Sequence, residues 1–218
     1  METLTPTPTE TLTPTPTQTL TPTDTPVPTQ TLTQEPTPTA TATPASTGYH
    51  SPSANYPVTS GSGDNNGFQT NPVNAYSSDN LYAVDTNSGT GTQTTCASTR
   101  KDRHIYYGFN INLPPSAIIN GLEVRLEAKA ENTNGSPHFC VQVSWDGGLT
   151  WTSAKISNNL TTNDALYTLG SANDTWGHAW TSGQLSNSSF RIQLVSIASN
   201  TTRDFSLDCV AVNVFYQP

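Results

Sequence analysis

The stretch Leu122-Glu123-Val124-Arg125-Leu126-Glu127-Ala128-Lys129-Ala130 alternates without a slip, apolar residues on even positions and charged residues on odd ones. Side chains of an extended chain point to opposite faces in turn, so this period of two describes a strand with one face in a core and the other toward water. Working outward, comparable runs lie at Ile105–Leu113, Phe139–Trp145, Tyr167–Leu169, Phe190–Ile197 and Phe205–Tyr216, with weaker ones at Leu81–Val84 and Thr92–Ala97. Turn clusters such as Asn132-Thr133-Asn134-Gly135 and Asp146-Gly147-Gly148 separate them, and no amphipathic helical pattern intervenes. About eight strands with short turns predict an all-β fold: an antiparallel two-sheet sandwich of jelly-roll type.

Composition divides the chain at residue 47. Residues 1–47 hold ten of the 17 prolines, twenty threonines, four acids and no basic residue, so they cannot build a core. Residues 48–218 hold every Trp, Tyr, Phe and Cys and form the expected β-sandwich head. The tail is a repeat. Glu2–Thr9 returns as Glu10–Thr17, as Gln18–Thr25 and, after a half-unit, as Gln30–Thr37, and every threonine of the tail falls on an odd number. Proline keeps such a chain extended and stiff, at about 3.1 Å per residue, which gives a Thr/Pro-rich stalk on the order of 145 Å long.

Threonine hydroxyls beside proline suit O-glycosylation, because the open backbone leaves them accessible. The candidates are Thr3, Thr5, Thr7, Thr9, Thr11, Thr13, Thr15, Thr17, Thr19, Thr21, Thr23, Thr25, Thr29, Thr31, Thr33, Thr37, Thr39, Thr41 and Thr43. Among them stand sparse aliphatic residues, Leu4, Leu12, Leu20, Val27 and Leu32. Leucines eight residues apart are roughly 25–27 Å apart along an extended chain, close to the width of a small domain. Each tail is therefore expected to dock on the heads of neighbouring copies. Four buried leucines would contribute on the order of 6–12 kcal/mol before ordering costs. Head-to-tail contacts of this kind do not close, and they build filaments.

Other functions are excluded or weakly signalled. Eight Lys plus Arg against 16 Asp plus Glu give a net charge of −8, which argues against nucleic acid as a partner. No stretch approaches the roughly 20 apolar residues that span a bilayer. No basic start with an apolar run follows Met1, so the expected extracellular or cell-surface setting rests on the Thr-Pro tail. His50, His104, His138 and His178 form no ligand pattern, and neither a cofactor nor a metal is expected. Ser62-Gly63-Asp64-Asn65-Asn66-Gly67 gathers oxygens that suit calcium, but an Asx turn explains the same residues. Glu123, Glu127 and Glu131 alternate on one strand face, where pairing with Arg125 and Lys129 is expected in place of catalysis. Cys96, Cys140 and Cys209 permit one disulfide with one thiol left over, or three buried thiols.

The succession Leu113-Pro-Pro-Ser-Ala-Ile-Ile-Asn-Gly-Leu-Glu-Val-Arg125, Val143-Ser-Trp-Asp-Gly-Gly-Leu-Thr-Trp151, Tyr167-Thr-Leu-Gly170, Trp176-Gly-His-Ala-Trp180 and Phe190-Arg-Ile-Gln-Leu194 resembles a β-sandwich module of bacterial surface and phage structural proteins. Together with the stalk it resembles subunits of glycosylated extracellular fibres. The resemblance implies architecture and location, and no activity. Within it, Ser144-Trp145-Asp146-Gly147-Gly148-Leu149-Thr150-Trp151 is similar to the Asp-box of sialidases and other propellers, which implies a structural hairpin.

The expectation is thus a non-enzymatic structural subunit whose partners are copies of itself and covalent glycans. The alternative is a carbohydrate-binding or adhesive module on a passive linker. For that alternative, Trp176 and Trp180 are the candidates to stack on a sugar ring, against a core or hairpin-packing role for the same indoles.

Overall fold

The computed structural model describes residues 44–218. The threonines Thr3 to Thr43 and the docking residues Leu4, Leu12, Leu20, Val27 and Leu32 lie outside the described residues. Among the described residues, ten strands make two antiparallel sheets: β1 Ala45–His50, β2 Ala54–Pro57, β3 Ala83–Asp85, β4 Arg103–Tyr107, β5 Ile118–Ala130, β6 His138–Ser144, β7 Lys155–Ile156, β8 Ala165–Gly170, β9 Arg191–Ile197 and β10 Phe205–Gln217. The first sheet runs β1-β10-β5-β8, with β3 also on β10; the second runs β2-β4-β9-β6-β7. Two short 3-10 helices, Pro72–Ala75 and Ser182–Leu185, are the only helices among the described residues, and neither is long or apolar enough to cross a membrane. The all-β, two-sheet fold is the one the alternation predicts.

β5 shows why. Its even residues, Leu122, Val124, Leu126, Ala128 and Ala130, are buried, and they meet Val210, Val212 and Val214 of β10 along one inner face. Tyr106, Phe139, Val141, Val143, Ile192 and Leu194 supply the opposing face. Each large aliphatic side chain removed from water contributes roughly 1.5–3 kcal/mol, so this interdigitated layer is what holds the sheets together. Val195, Ile197 and Cys140 point the other way, into a small cluster covered by Cys96 and Ala154. Cys96 is disulfide-bonded to Cys140, which fastens the loop before β4 onto β6, while Cys209 is a buried free thiol.

Three sequence expectations differ from the structure. The run expected as a strand to Leu113 ends at Tyr107, because Gly108 (φ 76°) and Asn110 (φ 52°) turn left-handed there. Thr92–Ala97 forms no strand and is held by its disulfide. The outer face of β5 is half-buried, and its charges do not pair with each other as expected: Arg125 lies 3.9 Å from the ring centre of Tyr49, and Lys129 lies 3.8 Å from that of Tyr82. Glu123 accepts from the Tyr49 hydroxyl, and Glu131 pairs with Arg203 at 3.0 Å. β1 begins at Ala45, within the last residues of the Thr/Pro-rich segment.

One polar string runs through the interior. The Phe68 N–H donates to His104 Nδ1 (3.1 Å), so the ring's proton sits on Nε2, where it meets Asn55 Oδ1 at 2.9 Å. Asn55 Nδ2 in turn donates to the Tyr76 hydroxyl at 2.6 Å. Burial pushes the His104 imidazole down to about 3, so it is neutral and fully used in these bonds.

Candidate functional site

The site is built where the segment leading into β5 meets the long connection between β8 and β9. That connection is anchored first. Trp176 and Gly177 are both left-handed (φ 57° and 74°), which swings the Trp176 indole inward, where its Nε1–H donates to the Leu122 carbonyl at 2.9 Å. Gly170 makes room for this bond: a Cβ there would lie 2.2 Å from Leu122 O and 2.7 Å from Trp176 Nε1. Asp174 secures the same corner. Its carboxylate accepts from the Trp176 N–H (2.9 Å) and pairs with Lys155 at 2.7 Å. Partial burial works against ionisation, yet the Lys155 ammonium and the Trp176 amide prevail and hold the Asp174 carboxyl below its ordinary value.

Beyond this anchor the chain presents an aromatic stack. The rings of Trp145 and His178 lie face to face, 3.8 Å apart and within 10° of parallel. Trp180 stands edge-on to both, at 6.3 Å and 4.9 Å, and leads inward to Phe190 at 5.8 Å. The Trp180 Nε1–H donates to Thr175 O at 2.8 Å. A capping box joins Thr181 and Gln184 at the 3-10 helix Ser182–Leu185, and Gln184 Oε1 also meets His178 Nε2 at 3.2 Å. The Ser182 hydroxyl reaches across to Pro115 O at 3.2 Å, closing the far wall.

These elements enclose an open groove of about 750 Å³. Its walls include Ile118, 62% exposed, with Ile119 on one side and His178 and Trp180 on the other; Thr175, Thr181 and Ser182 place hydroxyls along it. Among the described residues, no carboxylate lines the groove. The surface therefore combines an apolar floor with hydroxyl and imidazole hydrogen-bonding groups, which suits an uncharged amphipathic ligand.

The two tryptophans singled out from the sequence are placed differently. Trp176 is 4% exposed and packs in the core, with no open ring face for a sugar; Trp180 is 8% exposed and offers the groove only part of its ring. The residues that sequence reasoning missed are His178, whose ring joins Trp145 to Trp180, and Ile118. The signal for His178 was its place between two tryptophans in Trp176-Gly-His-Ala-Trp180.

The Asp-box segment is a hairpin turn, as the resemblance implied. Asp146 Oδ1 accepts from the Ser144 hydroxyl (2.9 Å) and from the amides of Leu149 (3.0 Å) and Thr150 (2.8 Å), while Gly147 and Gly148 take φ of 81° and 96°. The Thr150 amide, the first of several donors, holds the Asp146 carboxyl down to about 2. The segment from Ser62 to Gly67 is a turn closed in a way other than the expected Asx turn: the Asn65 N–H donates to the Ser62 carbonyl at 2.7 Å and the Ser62 N–H to Asn65 Oδ1 at 3.3 Å, while the Asp64 N–H donates to Asp102 Oδ1 at 3.0 Å.

No protein-family model and no curated protein matches the chain. Among solved structures, it is similar to a CBM4 module, a carbohydrate-binding module, at 18% identity over 62% of this chain and 72% of that one, with a TM-score of 0.37. A Clostridium thermocellum endo-1,4-β-D-xylanase, solved as its CBM22-1 and GH10 modules with xylohexaose, is 10% identical over 63% of this chain and 24% of its own, with a TM-score of 0.27. A Stig cyclase from Fischerella sp. TAU is 10% identical over 74% and 98% of the two chains, also with a TM-score of 0.27. All three are distant enough that the groove has to be understood from its own side chains.

Proposed function

We propose that the head is an extracellular, non-enzymatic carbohydrate-binding module carried on the Thr/Pro-rich tail. The observation that carries this reading is the groove beside the Trp145–His178–Trp180 stack. A pyranose ring has an apolar C–H face and a girdle of hydroxyls. Ile118 and the exposed part of Trp180 match the first, while His178, Thr175, Thr181 and Ser182 match the second. The groove is open to solvent, so it can take one stretch of a longer sugar chain.

The test is the full chain on a glycan array, followed by affinity electrophoresis in the polysaccharides that score. Retention is expected. It is expected to weaken at least about tenfold in His178→Ala and in Trp180→Ala, the cost of losing one aromatic contact and its hydrogen bonds. Failure to bind any glycan, or binding indifferent to both variants, would overturn the assignment.

The octad repeat of the tail favours a second reading, a fibre subunit whose leucines Leu4, Leu12, Leu20 and Leu32 dock on neighbouring heads and whose threonines carry covalent glycans. That reading predicts concentration-dependent polymers by sedimentation and electron microscopy, lost when residues 1–33 are removed. Monomers that bind sugar equally well without the tail would reject it.

A further inference from the structure

The outer face of the first sheet carries a charge imbalance that its neighbours leave unrelieved. Arg125 and Lys129 are engaged with Tyr49 and Tyr82, and Glu123 with the Tyr49 hydroxyl. Glu127, between those two cations in sequence, is left facing two further acids. One carboxylate oxygen from each of Glu127, Asp164 and Asp208 lies within 4.8 Å of the others. Strand register brings them together. Glu127 pairs with Leu166 of β8 on one side and with Cys209 of β10 on the other, and the register shift between Leu207 and Cys209 makes Asp208 the extra residue of a bulge.

Each carboxylate spends one oxygen on the protein. The Ser78 hydroxyl donates to Glu127 Oε2 at 2.6 Å, the Tyr82 hydroxyl to Asp164 Oδ2 at 3.0 Å, and the Asp79 N–H to Asp208 Oδ1 at 3.2 Å. The other oxygens of the two aspartates, Asp164 Oδ1 and Asp208 Oδ2, are buried and meet no donor, and Asp208 as a whole is 1% exposed. Among the described residues the ion pairs are Lys155–Asp174 and Arg203–Glu131, so none of the three acids has a cationic partner. Like charges this close, with buried lone pairs unmet, are costly, and a bound cation relieves both penalties at once.

We propose that Glu127, Asp164 and Asp208 form a calcium site that ties β5, the lead into β8, β10 and the Ser78–Tyr82 segment together. Every donor is a hard oxygen, which selects calcium, magnesium or manganese over zinc or copper. The three oxygens lie within 4.8 Å of one another, close enough for one ion with calcium–oxygen bonds of about 2.4 Å to reach all of them, and carboxylates drawn from separate elements suit calcium's flexible coordination better than the near-ideal octahedron that magnesium demands. Glu127 and Asp164 are only partly buried, which leaves a path from solvent and room for water in the remaining coordination positions.

The experiment is calcium chloride titrated calorimetrically into the full chain after treatment with a chelator, with thermal unfolding followed in parallel. One equivalent of calcium is expected to bind, more tightly than magnesium, and to raise the unfolding midpoint. Asp208→Asn and the partly exposed Glu127→Gln are each expected to weaken binding at least about tenfold, and Glu123→Gln, on the same face but outside the trio, to leave it unchanged. Should Asp208→Asn fail to fold, Glu127→Gln and Asp164→Asn carry the test. A chelated chain silent to calcium, a preference for magnesium, or calcium binding unaltered in both Glu127→Gln and Asp164→Asn would overturn the assignment. Glycan binding is read separately, so this site and the groove stand or fall independently.

Discussion

Replacing Gly170 by alanine tests whether the Trp176 anchor shapes the groove. Gly170 has φ of 84°, a conformation that costs a residue with a Cβ about 1–2 kcal/mol. The added Cβ would lie 2.2 Å from Leu122 O and 2.7 Å from Trp176 Nε1, so the indole has to withdraw. A buried N–H and a carbonyl then lose their bond, at about 1–3 kcal/mol. The sum is a destabilisation of about 2–5 kcal/mol, measured by urea unfolding followed by tryptophan fluorescence. Trp176→Phe removes the bond without the clash, and the double variant is expected to cost less than the sum of the singles, because the same bond is lost in each. A cost for Gly170→Ala below about 1 kcal/mol, or strict additivity of the pair, would refute the reasoning.

The remaining predictions concern the interior and the turns. His104, held neutral by burial, binds its proton only near pH 3 when folded and near pH 6.5 when unfolded, so its contribution to stability is present above pH 6.5 and drains away as pH falls toward 3. By pH 5 that loss is about 2 kcal/mol, and NMR is expected to show the ring still neutral there, with its proton on Nε2. Reduction of Cys96–Cys140, whose partners are separated by 44 positions, is expected to cost about 4 kcal/mol, measured as the difference in unfolding free energy with and without reductant. Asp146, with its carboxyl at about 2, stays ionised through mild acid; Asp146→Ala is expected to abolish the slow hydrogen exchange of the Leu149 and Thr150 amides, and unchanged protection there would contradict the hairpin's account.

How much was legible in the sequence depended on how local each signal is. The alternation of Leu122–Ala130 is decided by burial on one side of one strand, and it placed the fold correctly. β1 and β2 were missed because they are short edge strands of small and polar residues, with little apolar contrast to mark a period. The partners of the charges on β5 come from β1 and from the segment before β3, far along the chain, so helpful neighbours such as Tyr49 and Tyr82 were invisible and a local pairing was expected in their place. The groove was half visible. Trp176-Gly-His-Ala-Trp180 drew attention to the right connection, but which indole turns inward is set by left-handed backbone at Trp176 and Gly177, a choice that no side-chain pattern declares. The carboxylate trio required three registers at once, including a bulge, and was beyond any linear reading.

The placement of β10 has a consequence for biogenesis. Phe205–Gln217 lies in the middle of its sheet, bonded to β1 and β3 on one side and to β5 on the other. A growing polypeptide that has not yet released this segment from the ribosome holds β5 with an unpaired edge and a naked apolar face, both prone to wrong association. The sandwich is thus expected to close late, after synthesis of its last strand, and shortened versions ending before Phe205 would be substrates for chaperones or proteases and not smaller working heads.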